Sequence, residues 1–377
     1  MENRINKKSK KGKKVLIAMS GGVDSSVAAY LLAEEGYDTS GLTMYFNEFA
    51  EAHVQDAVKA CSRLGINHTC VDLTEQIKEK VIAPFVKGYL LGTTPNPCIE
   101  CNRFIKFGLL FDYAIKEGFD YFATGHYASV KKNGGNFGLF KAADLKKDQS
   151  YFLYAIKKDN LEKILFPLAD YTKEEVKKIA YKNDIPAALK KESQEICFVK
   201  DNDYKRFVAN HAWLLQSKLH YDNNALPADN GQEIKEEPVF NIPGSIKDIN
   251  GNIIGQHEGI SGFTIGQRKG IKISSSNALY VLEIDAISNT VTVGARQYLS
   301  KNRLTAGRLN FLVESIPERA MAKIRYKSSL APCSIKIKNG KAEVIFDRGR
   351  DAITPGQSIV FYAGDMVLGG GIIENVF

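Results

Sequence analysis

A glycine-rich loop between a buried strand and a helix constrains the fold of this chain more than any other feature. The apolar run VLIAM is followed by SGGVDSS, then by the helix-forming stretch SVAAYLLAEEG and the strand-like run TSGLTMYF. This order of strand, tight turn, helix and strand is typical of one βαβ unit in a parallel sheet. Helix and strand patterns go on alternating to about Asp203. We therefore predict a doubly wound, parallel α/β domain at the N-terminus.

The length of the chain and a change of pattern predict further domains. A chain of 377 residues is too long for one ordinary core. We expect a basic tail over residues 1–14, the α/β domain over 15–205, a central β domain over 206–276 with an insertion near 210–240, and a β-barrel over 277–377. The last part is expected to be all-β because its short strands alternate with turns.

Charge and hydropathy indicate where the protein acts and what kind of partner it binds. No run of eighteen apolar residues occurs, and the N-terminus MENRINKKSKKGKK has no apolar stretch of the signal-peptide kind. We therefore expect a cytoplasmic protein without a membrane partner. The formal net charge of +8 suits a polyanionic partner such as nucleic acid. For the basic tail alone, a solvated disordered segment is the simpler interpretation.

The loop SGGVDSS has the chemistry of an anion site. It offers glycine N–H groups, the hydroxyls of Ser20, Ser25 and Ser26, and the N-terminus of a helix. It is neither a Walker A loop nor a dinucleotide fingerprint, since GK[ST] and GxGxxG are missing. Asp24 would repel a phosphate unless a divalent cation lay between them, so we expect Mg²⁺ with a pyrophosphate group. The alternative is a simple tight connection.

The cysteines divide into two sets. Six cysteines without a secretory signal point to thiol chemistry or metal binding, not to a disulfide scaffold. Their surroundings predict that three are buried and structural, namely Cys61, Cys70 and Cys333. The other three are candidates for chemistry, namely Cys98, Cys101 and Cys197.

Cys101 lies in PNPCIECNRFIK, ahead of an amphipathic helix. We expect the helix N-terminus, Arg103 and Lys106 to lower its thiol pKa. A thiolate at this position could act as a nucleophile near neutral pH.

These motifs together resemble known enzymes. AMSGGVDSS resembles the PP-loop of the ATP pyrophosphatases, which cleave ATP between the α and β phosphates. Nearly the whole chain resembles the bacterial tRNA-specific 2-thiouridylases, through AMSGGVDSS, GLTMYF, TPNPCIECNRFIKFG, ATGHYA, KDQSYFL, ESQEICFV, IGQHEGISGFTIGQRKGI, KIRYK, TPGQSIVFY and LGGGIIE. The resemblance implies a Rossmann-like PP-loop domain followed by two small β domains. It also implies ATP-dependent conversion of the wobble uridine of tRNA to 2-thiouridine.

The resemblance also implies roles for individual residues. Cys101 would be the nucleophile or resolving thiol, and Cys197 would carry the sulfur as a persulfide. The implied ATP site comprises Ala18, Met19, Ser20, Gly21, Gly22, Val23, Asp24, Ser25, Met44 and Gly125. The implied tRNA contacts are Asn96, Pro97, Cys98, His126, Lys147, Asp148, Gln149, Arg325, Tyr326 and Gln357. The implied partners are tRNAs for Lys, Glu and Gln and a persulfide donor, either a cysteine desulfurase or a relay protein.

Alternatives remain open at the level of sequence. Many relatives have Asp where this chain has Cys98, and the set Cys98, Cys101 and Cys197 could instead hold a [4Fe–4S] cluster or a zinc ion. An amidating synthetase would use the same PP-loop with ammonia as the nucleophile. A non-catalytic RNA-binding protein would use the CxxC for a structural metal.

Overall fold

The computed structural model describes residues 10–46, 51–186, 196–199, 203–212 and 242–377. Three sequence features fall wholly or partly outside the described residues. They are the first nine residues of the expected basic tail, most of the expected insertion near 210–240, and the lysines of the KKES stretch before Cys197.

The N-terminal part contains the predicted parallel sheet. Its strands, with one added hairpin, are β1 (Lys14–Ala18), β2 (Asp38–Tyr45), β3 (Asn67–Asp72), β4 (Tyr121–Thr124), β5 (Ser129–Asn133), β6 (Asn136–Phe140) and β7 (Ile164–Leu165). The sheet has the order β3-β2-β1-β4-β7, and all its pairings are parallel. The strand order reverses at β1, so a crevice opens beyond the carboxyl ends of β1 and β4. The glycine loop and Gly125 lie at this crevice.

Helices cover both faces of this sheet. They are α1 (Val23–Glu34), α2 (Glu51–Leu64), α3 (Thr74–Ile77), α4 (Ala83–Leu90), α5 (Pro97–Glu100), α6 (Phe111–Lys116), α7 (Lys173–Lys182) and α8 (Tyr204–His211). Helix α1 is buried along most of its length because it packs between the sheet and the helices α2 and α7. Helix α7 begins with the capping box of Thr172 and Glu175 that the sequence predicts. Among the described residues, no helix is long and apolar enough to cross a membrane.

The helix that carries the CxxC motif widens at Cys101. Pro97 occupies its first turn, and the Asn96 side chain caps it by accepting a hydrogen bond from the Cys98 N–H at 3.1 Å. From Cys101 to Leu110 the helix is π-helical, and α6 follows directly. Local π-helical geometry inside an α-helix is frequent at functional sites.

The central part is a small sheet. It contains β8 (Gly244–Lys247), β9 (Ile253–His257), β10 (Tyr280–Asp285) and β11 (Thr290–Gly294) in the order β10-β11-β8-β9. Its core is formed by residues such as Ile246, Val281 and Val291. This sheet continues across residue 276, the boundary that we expected between the last two domains.

The C-terminal part is a closed barrel. Its strands are β12 (Ser300–Phe311), β13 (Arg319–Lys323), β14 (Ala331–Lys338), β15 (Lys341–Asp351), β16 (Ser358–Ala363) and β17 (Met366–Val376). Pairing of β12 with both β15 and β17 closes the six strands. The β5–β6 hairpin of the α/β domain adds to this sheet through β17. The predicted fold class is confirmed, and the first and last domains share one continuous sheet.

Candidate active site

The glycine loop forms a compact turn at the N-terminus of α1. Gly22 is the N-cap residue, and no side chain caps the helix there. The hydroxyls of Ser25 and Ser26 both donate to the Gly22 carbonyl, at 3.1 and 3.0 Å. Ser25 Oγ also accepts a hydrogen bond from the Ser20 N–H at 3.2 Å. The serines therefore fix the loop, and the positive end of the helix is left to face a ligand.

Two glycines are required by the geometry of this crevice. Gly21 has φ +70°, and a Cβ added to it would lie 2.6 Å from both Asp56 Cβ and the His53 carbonyl oxygen. Gly125 follows β4, and its added Cβ would lie 2.7 Å from the backbone nitrogen of Ser25. The chain after β4 therefore touches the glycine loop directly.

Lys173 is a residue of this crevice that the sequence analysis missed. Its ammonium group contacts both carboxylate oxygens of Asp24, at 2.7 and 2.8 Å, and the Lys173 residue is buried. The Tyr127 hydroxyl donates to the same carboxylate at 2.9 Å. The available signal was a lysine in the first turn of a helix, where the dipole disfavours a cation.

The Asp24–Lys173 pair changes the argument for magnesium. Asp24 was expected to need a divalent cation to tolerate a phosphate, but the Lys173 ammonium already balances its charge. With the N-terminus of α1, which no side chain caps, and this lysine, the crevice suits a polyanion.

The three candidate thiols lie close to one another. The charges of Cys98 and Cys101 both raise the pKa of Cys197, so these residues interact across about a hundred positions of sequence. All three thiols also feel the positive charge of Lys106, which tends to lower their pKa values. Cys98 and Cys197 are exposed, Cys101 is half-buried, and all are free thiols.

The expectation of a lowered Cys101 pKa is wrong. Burial among protein atoms raises the pKa of the Cys101 thiol, and the attraction of Lys106 does not offset it. Although the Cys197 residue is exposed, desolvation by the surrounding protein atoms, with smaller contributions from Cys101 and Cys98, raises the pKa of its thiol to about 12. Arg103 contributes nothing here because its guanidinium lies over the Phe104 ring, 5.2 Å from the centroid. The thiols are therefore protonated near neutral pH.

These shifts predict the pH dependence of thiol reactivity. Alkylation of Cys101 by iodoacetamide should accelerate steadily from about pH 7 to about pH 9.5, because only the thiolate reacts and its pKa lies above the usual value. Peptide mass spectrometry of the full chain measures the rate. Lys106→Met should slow the reaction at every pH, since removing the cation raises the pKa further. A plateau near neutral pH would contradict the assignment.

The described residues do not support a metal centre. Among them, no group of three or more His, Cys, Asp or Glu side chains is arranged to hold a metal ion, although all three candidate thiols are described. The [4Fe–4S] and zinc alternatives for Cys98, Cys101 and Cys197 therefore gain no support.

His126 links the glycine loop to the thiols. It follows Gly125, its Nδ1 is 2.8 Å from the Thr124 hydroxyl, and its ring packs against Phe107. Burial and the charge of Lys106 lower its pKa well below the usual value, so the imidazole is neutral. The charge of Lys106 therefore acts on His126 as well as on the three thiols.

Two residues of the KDQ segment face inward. Asp148 is buried and accepts hydrogen bonds from the Ala142 and Ser150 N–H groups and from the Ser150 hydroxyl. Gln149 accepts from the Tyr127 N–H at 2.9 Å. The Asp148 side chain therefore anchors this loop, and its expected contact with tRNA stays a prediction. Lys147 is half-buried and lies near Tyr326, whose pKa its charge tends to lower.

The barrel residues implied in tRNA contact lie at its junction with the α/β domain. Arg325 is exposed, whereas the Tyr326 ring packs on Phe152 with centroids 4.5 Å apart. Gln357 donates to the Thr94 carbonyl at 2.7 Å, just before Asn96, Pro97 and Cys98. Met44 is half-buried against the main core at the end of β2.

The buried-cysteine prediction holds for two of three residues. Cys61 and Cys333 are 1% and 0% exposed. Cys70 is exposed instead, because it lies on β3, the edge strand of the parallel sheet.

Comparisons with known proteins agree with this arrangement. Residues 13–201 match a family model described as the tRNA methyl transferase HUP domain, residues 234–295 one described as the tRNA methyl transferase PRC-barrel domain, and residues 301–373 one described as the aminomethyltransferase beta-barrel domain. The chain is 44% identical to the tRNA-specific 2-thiouridylase MnmA of Carboxydothermus hydrogenoformans, covering 96% of this chain and 98% of the relative.

Other relatives carry the same description. Identity is 43% to tRNA-specific 2-thiouridylase MnmA 1 of Syntrophus aciditrophicus, over 96% of this chain and 93% of the relative. Identity is 41% to tRNA-specific 2-thiouridylase MnmA of Clostridioides difficile, over 96% of this chain and 98% of the relative. The chain therefore belongs to the tRNA-specific 2-thiouridylase family.

Proposed function

We propose that this chain converts the wobble uridine of tRNA to 2-thiouridine, using ATP and a persulfide sulfur. One observation carries the proposal. Gly125 touches the glycine loop, and the charge of Lys106 acts on the next residue, His126, as well as on Cys98, Cys101 and Cys197. A nucleotide held at the loop and a sulfur held on a thiol would thus lie close together.

The first step activates the base. A uracil C2 carbonyl is a weak electrophile, so its oxygen attacks the α-phosphorus of ATP and pyrophosphate leaves. The N–H groups at the N-terminus of α1 and the ammonium of Lys173 stabilise the charge on the departing pyrophosphate. Mg²⁺, when bound with ATP, would supply further neutralisation of the phosphates, with Asp24 as the nearest carboxylate.

The second step transfers sulfur. The terminal sulfur of a persulfide on Cys197 attacks C2, and AMP leaves with the original oxygen. The Cys101 thiolate then attacks Cys197 Sγ, which breaks the sulfur–sulfur bond, releases the thiocarbonyl and forms a Cys101–Cys197 disulfide. A reductant must then restore both thiols. Because both pKa values are raised, the Cys101 thiol must lose its proton at this step, and the positive charge of Lys106 favours the resulting thiolate.

The remaining partners follow from the same chemistry. A tRNA substrate is consistent with the names of the relatives, and we propose the tRNAs for Lys, Glu and Gln. The sulfur would come from a cysteine desulfurase or a relay protein. For RNA contact the structure favours the exposed Arg325 and the half-buried Lys147 over the internally bonded Asp148 and Gln149.

Nucleoside mass spectrometry tests the proposal. Purified protein should form 2-thiouridine in unmodified tRNA when ATP and a persulfide source are present, and should form none when ATP is omitted. Release of pyrophosphate that responds to a small carboxylate and ignores tRNA would instead indicate an amidating synthetase.

The contact of Lys173 with Asp24 predicts a large effect on ATP use. Lys173→Met should raise the KM for ATP about tenfold or more, because it leaves the Asp24 carboxylate unpaired by its ammonium partner beside the phosphates, and a charge-assisted contact of this kind contributes about 1.5–3 kcal/mol. Lys173→Arg should retain most activity. Lys178→Met, an exposed lysine of the same helix, is the matched control and should behave as wild type. Equal KM values for both methionine variants would remove Lys173 from the site.

A further inference from the structure

The turn that carries Cys101 is held by the C-terminal barrel. Glu100 is the last residue of α5 and is 8% exposed. Its carboxylate accepts a hydrogen bond from Arg308 Nη2 of β12 at 2.8 Å. A buried carboxylate is costly without a partner, so this contact between domains matters more than an exposed ion pair does.

Arg308 reaches Glu100 from an unusual backbone conformation. Its φ is +48°, in the left-handed region that non-glycine residues rarely adopt. It lies where the pairing of β12 with β17 is interrupted, between Gly307 and Asn310. Such bulges bend a strand and re-aim a side chain. Here the side chain is directed out of the barrel towards the helix of the CxxC motif.

A second contact reaches the other side of Cys101. Asn102 is 2% exposed, and its side-chain amide donates to the Phe152 carbonyl at 3.0 Å. Phe152 packs against Tyr326 of the barrel. Asn310, two residues after Arg308, fixes the same segment by donating to the carbonyls of Tyr154 and Ile156. Both neighbours of Cys101 in sequence are therefore tied to the barrel.

We propose that Arg308 is a positioning residue for the thiol site: its ion pair with Glu100, together with the Asn102–Phe152–Tyr326 contacts, sets the orientation of Cys101 towards Cys197. Arg308 itself touches no reacting atom. The turnover consequences rest on the proposed function, whereas the effect on Cys101 reactivity does not.

Arg308→Gly isolates this role because glycine accepts the left-handed conformation without strain. We expect the kcat for tRNA thiolation to fall about tenfold, the KM for ATP to stay within about twofold, and the alkylation rate of Cys101 in the full-length chain to change about threefold or more. Arg308→Lys should retain most of the wild-type kcat and a Cys101 alkylation rate close to that of wild type. Adding Glu100→Gln to Arg308→Gly should have little further effect, since the two residues act through one contact.

Arg319→Ala is the matched control. Arg319 of β13 pairs with Asp347 of β15 at 2.6 Å, and both side chains are exposed on the surface of the barrel domain. Loss of this ion pair should therefore leave Cys101 alkylation and turnover near wild type. The proposal is overturned if Arg308→Gly lowers the unfolding midpoint but leaves Cys101 alkylation unchanged, or matches Arg319→Ala in every assay. If alkylation changes as expected but no variant or wild type forms 2-thiouridine, the positioning role stands and the proposed function fails.

Discussion

Replacing Cys101 or Cys197 by serine should abolish 2-thiouridine formation, with a loss of about 1,000-fold or more in kcat. The reason is chemical: serine can neither carry a transferable sulfur nor close a disulfide. Formation of pyrophosphate from ATP should survive in both variants, because the glycine loop lies on a different element from either thiol. Nucleoside mass spectrometry and pyrophosphate release, measured on the same samples, separate the two steps.

Cys61→Ser is the control for these thiol variants. Cys61 is 1% exposed in α2, and burial raises its pKa to about 11, so it takes no part in the reaction. The control should retain thiolation even though its stability falls slightly. Substantial thiolation by both the Cys101→Ser and the Cys197→Ser variants would exclude the proposed sulfur path.

Gly125→Ala should severely weaken ATP binding, because its added methyl group would push against the backbone of the glycine loop. Its Cβ would lie 2.7 Å from Ser25 N and 2.8 Å from the Asp24 carbonyl carbon, and both are backbone atoms that cannot move aside cheaply. We expect a loss of about 100-fold in ATP-dependent turnover from displacement of the loop. Overpacking should also cost about 1–3 kcal/mol of stability.

Gly22→Ala is the matched control within the same loop. Gly22 has φ −89°, and its added Cβ would lie 3.4 Å from Ser20 Oγ, which is ordinary contact. Its unfolding midpoint should therefore stay close to wild type. If Gly125→Ala binds ATP and unfolds like wild type, the close approach between the β4 end and the loop is wrong.

Most of the fold could be predicted because it depends on local pattern. Hydrophobic periodicity and the glycine-rich turn predict the strand–loop–helix unit and a parallel sheet. The residue types at the start of α7 predict the capping box of Thr172. The sharing of a sheet between β6 and β17 could not be predicted. That pairing joins residues more than two hundred positions apart, and neither strand differs in composition from an ordinary edge strand.

The sequence predicted which residue types form the candidate site better than it predicted their burial and electrostatic surroundings. The sequence correctly predicted that the charge of Lys106 acts on Cys101. The pKa of Cys101 also depends on burial, which raises it and which is due to atoms from distant segments of the chain. For the same reason Lys173 was missed, because its partner Asp24 is 149 positions away. The resemblance gave no sign that Asp148 is buried and accepts three hydrogen bonds from within the chain. Electrostatic balance and burial are tertiary properties.

Following the oxygen atom tests the central claim most directly. A tRNA whose wobble uridine carries oxygen-18 at C2 is given to the purified protein with ATP and a persulfide source, and the products are separated by mass spectrometry. If the nucleotide activates this oxygen, the label appears in the phosphate of AMP as 2-thiouridine forms. Label released into water or retained in the thiolated base would contradict the account.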